Sequence, residues 1–242
     1  MSGHSKWHSI KHKKAATDAQ KSKILTKHAK LLAIAGRSDP NPETNASLRA
    51  AIDNAKADNV PGTNIDRILK KLSGADKDQA EIQEAVYEGF GPNGIPFLVT
   101  ALTDNPNRTY PEVRTAFSKH GGTLGSSGSV AFLFDHVGVI RVANEEKTED
   151  ELFEAAVNAG ARDFEFGEKE SEIITAFSDL AKVRDRLSEA GIKVIQSAPE
   201  YHPKDPKVIA EKEKIEQLER FMEAIEDVDD VDEVFSGFDV AS

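Results

Sequence analysis

The chain contains no cysteine. That removes disulfides, thiol nucleophiles and every cysteine-based zinc site at once. Long apolar runs are also missing, and no stretch approaches the ~20 residues that a membrane-spanning helix needs. The opening MSGHSKWHSI lacks the apolar segment of a secretory signal, and Ser2 stands where N-myristoylation requires glycine. There is no H-E-x-x-H and no Gly-Lys-Ser/Thr phosphate loop, and no Ser-His-Asp order stands out. Tryptophan is limited to one residue, Trp7. What remains is a globular composition, 38% hydrophobic and 30% charged over 242 residues, with room for one to three domains. Nothing in it argues for an enzyme, a cofactor or a metal, and the cytoplasm is the expected compartment.

Positive charge is scarce overall and concentrated at one end. Lys and Arg number 31 against 42 Asp and Glu, a formal net charge of -11. Yet residues 1–72 hold 14 basic and 6 acidic side chains, so the remainder holds 17 and 36. The first segment is +8 and the rest -19. An asymmetry of this size points to an anionic partner for the basic end, and the acidic bulk would repel that partner elsewhere. The stretch HSKWHSIKHKKAATDAQKSKILTKHAK, residues 4–30, carries eight lysines and one acid, Asp18.

Periodicity divides the chain. Residues 1–14 read as a basic arm. Residues 15–78 read as a helical bundle, with apolar stripes at Ile24, Leu25, Leu31, Leu32 and Ala35, then at Leu48, Ala51, Ile52 and Ala55, then at Ile65, Ile68, Leu69 and Leu72. The run VYEGFGPNGIPFLVTALT reads as strand, turn and strand, and RTYPEVRTAFSKHG as a helix with Thr109 as its N-cap. From residue 137 the order is β-α-β-β-α-β, the ferredoxin-like order. APEYHPKDPK reads as a proline-rich linker. The last helix and strand lack a sheet of their own and complete the one begun near residue 85. The expected fold is therefore α+β, with a discontinuous α/β domain at 79–135 plus 204–242 and a ferredoxin-like domain inserted at 136–203.

The candidate binding residues follow from the charge. Lys6, Lys11, Lys13 and Lys14 in the arm, with Lys21, Lys23, Lys27 and Lys30 on the first helix, are read as contacts to a phosphate backbone. Trp7 either stacks on an unpaired base or pins the arm to the bundle. In the loop TDNPNRT, Asn105, Asn107 and Arg108 either touch phosphates and bases or cap the next helix. His4, His8 and His12 share helical spacing, but the lysines among them repel a cation. HGGTLGSSGSV feeds a strand, so it is not a nucleotide cradle. EDVDDVDEVF lacks the spacing and glycine of a calcium loop and reads as a solvated acidic edge.

Three long blocks carry a family resemblance: MSGHSKWHSIKHKKAATDAQKSKI, YEGFGPNGIPFLVTALTDNPNRTYPEVRTAFSKHGGTLGSSGSVAFLF and LERFMEAIEDVDDVDEVFSGFD. With them the chain closely resembles the YebC/PmpR family over nearly its whole length. The resemblance implies a three-domain cytoplasmic protein and a DNA-binding transcriptional regulator. It also admits, as the alternative, a translation factor on ribosomal RNA, since mitochondrial translational activators and bacterial members tied to relief of ribosome stalling share the family. Mitochondrial members carry a presequence ahead of the opening motif, so a bacterial chain is expected. Pro106 stands where a basic residue is usual, which removes one charge from the polar loop. The partner implied is DNA or ribosomal RNA, with no membrane, and a homodimer is left open.

Overall fold

The computed structural model describes residues 18–73, 81–145 and 147–241. Three helices come first: α1 (Asp18–Ala35), α2 (Ala46–Ala57) and α3 (Gly62–Ser73). Then follow β1 (Gln83–Phe90), β2 (Pro96–Thr103), α4 (Pro106–Lys119) and β3 (Thr123–Leu124). The next six elements are β4 (Phe134–Ala143), α5 (Glu149–Ala159), β5 (Asp163–Glu165), β6 (Glu170–Ala176), α6 (Leu180–Glu189) and β7 (Val194–Pro203). The chain ends with β8 (Lys207–Ile209), α7 (Lys212–Glu226), β9 (Val231–Ser236) and β10 (Phe238–Val240). Two compact units result. One comprises the described parts of 1–30, 78–135 and 201–242, the other those of 31–77 and 136–200.

The first unit is built on a four-stranded sheet in the order β3-β1-β2-β9. β1 and β2 pair antiparallel from Gln83 opposite Thr103 to Phe90 opposite Pro96. β9 joins β2 from the far end of the sequence, which makes the α/β domain discontinuous as expected. Strand alternation sends Phe97 and Val99 to one face, where α4 and α7 bury Val113, Phe117, Leu218, Phe221 and Ile225. The Phe221 ring lies 4.8 Å from Phe97 and 5.1 Å from Phe117, centroid to centroid. Complete burial of such a ring contributes about 2–3 kcal/mol. Leu98 points the other way, into a smaller cluster with Val130, Phe134 and Phe235. Gly89 permits the close approach of α4, because a Cβ there would meet Phe117 at 2.7 Å and the Thr123 carbonyl at 2.6 Å.

In the second unit the sheet order is β5-β6-β4-β7. With α5 and α6 on one face this is the ferredoxin-like arrangement, its core formed by Ile140, Val142, Leu152, Ala156, Ile173, Val183 and Leu187. Thr148 and Glu151 form a reciprocal capping box at the start of α5. On α2, Asn54 grips β7 with both ends of its amide: Nδ2 donates to the Ser197 carbonyl at 2.8 Å and Oδ1 accepts from the Ser197 N–H at 3.0 Å. The α2 N-cap is Asn45, whose Oδ1 accepts from the Leu48 N–H at 3.0 Å while its Nδ2 donates to the Ala35 carbonyl at 2.7 Å. One side chain thereby starts α2 and satisfies the end of α1.

Two local expectations give way. α4 begins at Pro106 with Asn105 as N-cap, not Thr109. Proline at the first helical position costs no hydrogen bond, so the helix starts a turn earlier and Thr109 is buried inside it. The expected linker APEYHPKDPK is largely extended backbone, since β7 runs to Pro203 and β8 starts at Lys207. Proline is tolerated there because β7 is an outer strand. Among the described residues no helix is long and apolar enough to cross a membrane.

Candidate nucleic-acid interface

The C-terminal half of α1 presents its lysines to the acidic run that precedes and opens β9. Lys30 Nζ donates to Asp230 Oδ1 at 2.7 Å and to the Leu102 carbonyl at 2.9 Å. Lys27 Nζ lies 3.0 Å from Asp232 Oδ1 and donates to Glu233 Oε1. Asp230 is 5% exposed. Its second oxygen accepts from Arg108 Nη2 at 2.7 Å, Thr109 Oγ1 at 2.8 Å and Thr103 Oγ1 at 3.2 Å. Arg108 also donates to Asp104 at 3.0 Å.

Burial alone would raise the Asp230 carboxyl; the hydrogen bonds from Arg108, Lys30 and Thr109 overcome it and hold the group well below the usual carboxylate range. Burial likewise works against the Lys27 ammonium, and Glu233 and Asp232 more than offset it, so Lys27 stays charged above the ordinary lysine range. The stretch EDVDDVDEVF is thus a solvated edge only in part, at the exposed Asp227 and Asp229. Asp230 is buried and Asp232 and Glu233 are half-buried, because cations from α1 and α4 neutralise the run. Among the described residues no cluster of His, Asp and Glu could hold a metal ion.

The expected binding residues therefore separate. Lys6, Trp7, Lys11, Lys13 and Lys14 lie outside the described residues. Lys21 is exposed on the first turn of α1 and Lys23 is half-buried. Lys27 and Lys30 are engaged by carboxylates, so a phosphate reaches them only by exchanging those pairs. Asn105 caps α4 through its Oδ1, 3.3 Å from the Arg108 N–H, and Arg108 bridges two aspartates. Asn107 is exposed on the first turn of α4. Lys30→Met removes one of the cations on Asp230, and an expected loss of about 1–2 kcal/mol is read by thermal melting. The salt dependence of nucleic-acid binding should barely change, and a full unit of lost slope would place Lys30 on phosphate instead.

The glycine-rich loop is closed in a similar way. Glu88, 5% exposed on β1, accepts from the N–H groups of Gly128 at 2.6 Å, Val130 at 2.8 Å and Ala131 at 2.7 Å. Gly128 sits at φ +84°, where residues with a Cβ are strained. The amides that could have cradled a phosphate already hold an internal carboxylate. Burial raises the Glu88 carboxyl, but the three N–H groups together bring it below its ordinary value. A lowered folded-state pKa means stability that is complete above the unfolded value of about 4.3 and lost as pH falls below it. Glu88→Gln is expected to cost about 1–3 kcal/mol at neutral pH and to speed hydrogen exchange at Val130 and Ala131. Protection unchanged at those amides would show that the loop stands without Glu88.

Two exposed cationic features escaped the sequence reading. On α3, Arg67, Lys70 and Lys71 are exposed, and an open cavity of about 930 Å³ between α3 and residues 40–42 has Arg67 and Lys70 on its wall. On α4, Tyr110, Arg114 and Lys119 line a shallow cavity of about 490 Å³. On α3 the signal was present as i, i+3 and i, i+4 spacing of the three cations, whereas Arg114 and Lys119 on α4 are five residues apart and carry no such signal.

Comparison with known proteins agrees with the blocks quoted from the sequence. Residues 5–75 match the model of the TACO1/YebC protein N-terminal domain, and residues 82–238 match that of the TACO1/YebC second and third domain. A probable transcriptional regulatory protein of Thermoanaerobacter pseudethanolicus is 44% identical over 222 residues, 90% of each chain. One from Sulfurihydrogenibium is 43% identical over 242 residues, 99% of this chain and 96% of that one. The crystal structure of a conserved hypothetical protein of Aquifex aeolicus superimposes with a TM-score of 0.87 at 38% identity, covering 96% of both chains.

Proposed function

The chain belongs to the TACO1/YebC family, and from that premise we propose that it regulates gene expression by binding nucleic acid through its basic N-terminal segment, as a DNA-binding transcriptional regulator. The observation that carries this reading is the division of charge, +8 over residues 1–72 against -19 over the rest. Four arm lysines, Lys6, Lys11, Lys13 and Lys14, with Lys21 and Lys23, supply ammonium groups to the phosphate backbone, and Trp7 adds a ring that stacks on a base or anchors the arm. Asn107 extends the contact from α4. Lys27 and Lys30 join only by giving up Asp230, Asp232 and Glu233. The relatives' names support a regulatory role, and the cytoplasm is the compartment in which such a regulator works.

A second reading is a translation factor on ribosomal RNA. It is favoured by the chemistry of the exposed faces of α2 and α3, where Arg49, Lys56, Arg67, Lys70 and Lys71 offer charge and few amide side chains offer base-edge pairing. Sucrose-gradient sedimentation of lysate separates the two readings. A regulator of transcription stays at the top of the gradient and leaves a discrete promoter footprint. Cosedimentation with ribosomes, lost when the arm lysines are replaced, would move the protein to translation.

A further inference from the structure

The ferredoxin-like unit leaves a row of apolar side chains in water. Phe153 and Val157, one turn apart on α5, are 54% and 56% exposed, and Phe166, just beyond β5, is 40% exposed. The row is continuous, because the Phe153 ring packs edge-on against Phe164 at 6.0 Å and Phe164 lies 6.4 Å from Phe166. α5 does not need this face for its own packing, since Leu152, Ala156 and Ala159 already fill the core. Monomers seldom expose a contiguous apolar patch without a use for it.

β5 is an outer strand of its sheet and is hydrogen-bonded to β6 on one side. Among the described residues no strand covers its other edge. The segment that carries this row is strongly acidic: residues 149–170 hold eight Asp and Glu against two Lys and Arg, a net charge of -6. Charge of one sign guards an edge against copies of itself. The same charge attracts a cationic chain.

We propose that this face docks an extended segment of a partner protein that alternates basic and apolar side chains, added to the open edge of β5 as a further strand. Alternation gives each side of that strand one task. Its apolar side chains meet Phe153, Val157 and Phe166 beside α5. Its lysines or arginines reach Asp163 and Glu165, which lie on the strand face opposite Phe164. The proposal does not depend on the nucleic-acid reading, and its residues are distinct from the lysines invoked there.

The test titrates the full-length protein with a fluorescein-labelled peptide of about a dozen residues alternating lysine and valine, expected to bind with a Kd on the order of 10–100 μM. The Phe153→Asp, Phe166→Ser double variant should bind at least about tenfold more weakly. Asp163→Lys, at an exposed position of β5, leaves the apolar row intact and should weaken binding as well, which keeps the test decisive if the first variant folds poorly. A peptide of alternating lysine and glycine should bind about tenfold more weakly than the lysine–valine peptide. Equal binding of the two peptides would reduce the effect to net charge and overturn the proposal. So would crosslinks that map outside 149–170, or a dimer in sedimentation equilibrium that the double variant dissociates, since the face would then belong to a second copy.

Discussion

Asp230→Ala should lower the melting temperature by about 9 °C, corresponding to roughly 3 kcal/mol in a folded unit of this size. The loss has little to do with the attraction of one exposed pair. Arg108 is half in water, with its side chain 49% exposed, and its share is small. The larger part comes from what remains after the carboxylate is gone. Lys30, with its side chain 19% exposed, keeps the Leu102 carbonyl but loses its carboxylate, the buried Thr103 hydroxyl loses the oxygen it donates to, and Thr109 Oγ1 falls back on the Asn105 carbonyl at 3.2 Å. Asp230→Asn preserves shape and one acceptor oxygen, and its loss should fall between alanine and wild type. Calorimetry on the three proteins checks the order. An alanine variant that melts within about 2 °C of wild type would mean that this cluster contributes little to holding α1 on the first unit. The pH dependence has the same origin. Since Asp230 lies below its unfolded pKa, its contribution is present above about pH 4 and fades as acid protonates it.

Replacing Lys11, Lys13 and Lys14 together by alanine should weaken duplex binding by about 10²-fold at physiological salt. If roughly five lysines of the N-terminal segment engage the backbone, log affinity falls against log salt with a slope of about −4 to −5, and the triple variant should fall to about −2. The slope is the sharper readout, because it counts released counterions and is insensitive to small changes in fold stability. Filter binding at four or five salt concentrations suffices. A triple variant with wild-type affinity and slope would remove the arm from the mechanism and leave the exposed cations of α3 and α4 as the contact. Lys30→Met serves as the internal control, since it perturbs stability with little effect on slope.

The ion pairs of Lys27, Lys30 and Arg108 with the acidic run explain why charge counting reached only part of this surface. Residues 23, 27 and 30 form a basic ridge by helical spacing alone, and that ridge exists. Counting cannot say what a ridge faces. Its partners lie about 200 positions further on, at Asp230, Asp232 and Glu233. The acidic run reads as an edge in water because six acids among ten residues look solvated, yet Val231, Val234 and Phe235 pull the same strand into the core. Asn105 and Asn107 look alike in sequence. Only the position of Pro106 at the start of α4 makes the first a cap and leaves the second in water.

Local chemistry determined the elements. Apolar side chains repeat at the helical or the strand period, glycine and asparagine punctuate them, and the β-α-β-β-α-β order follows because each amphipathic face must be buried. The net charge of each segment was likewise decided by composition, and with it the kind of partner. What only the tertiary structure decided is which charges remain available. An ion pair or a buried carboxylate depends on distances of a few ångströms between residues far apart in the chain, and those distances are set by how the sheet closes β9 onto β2.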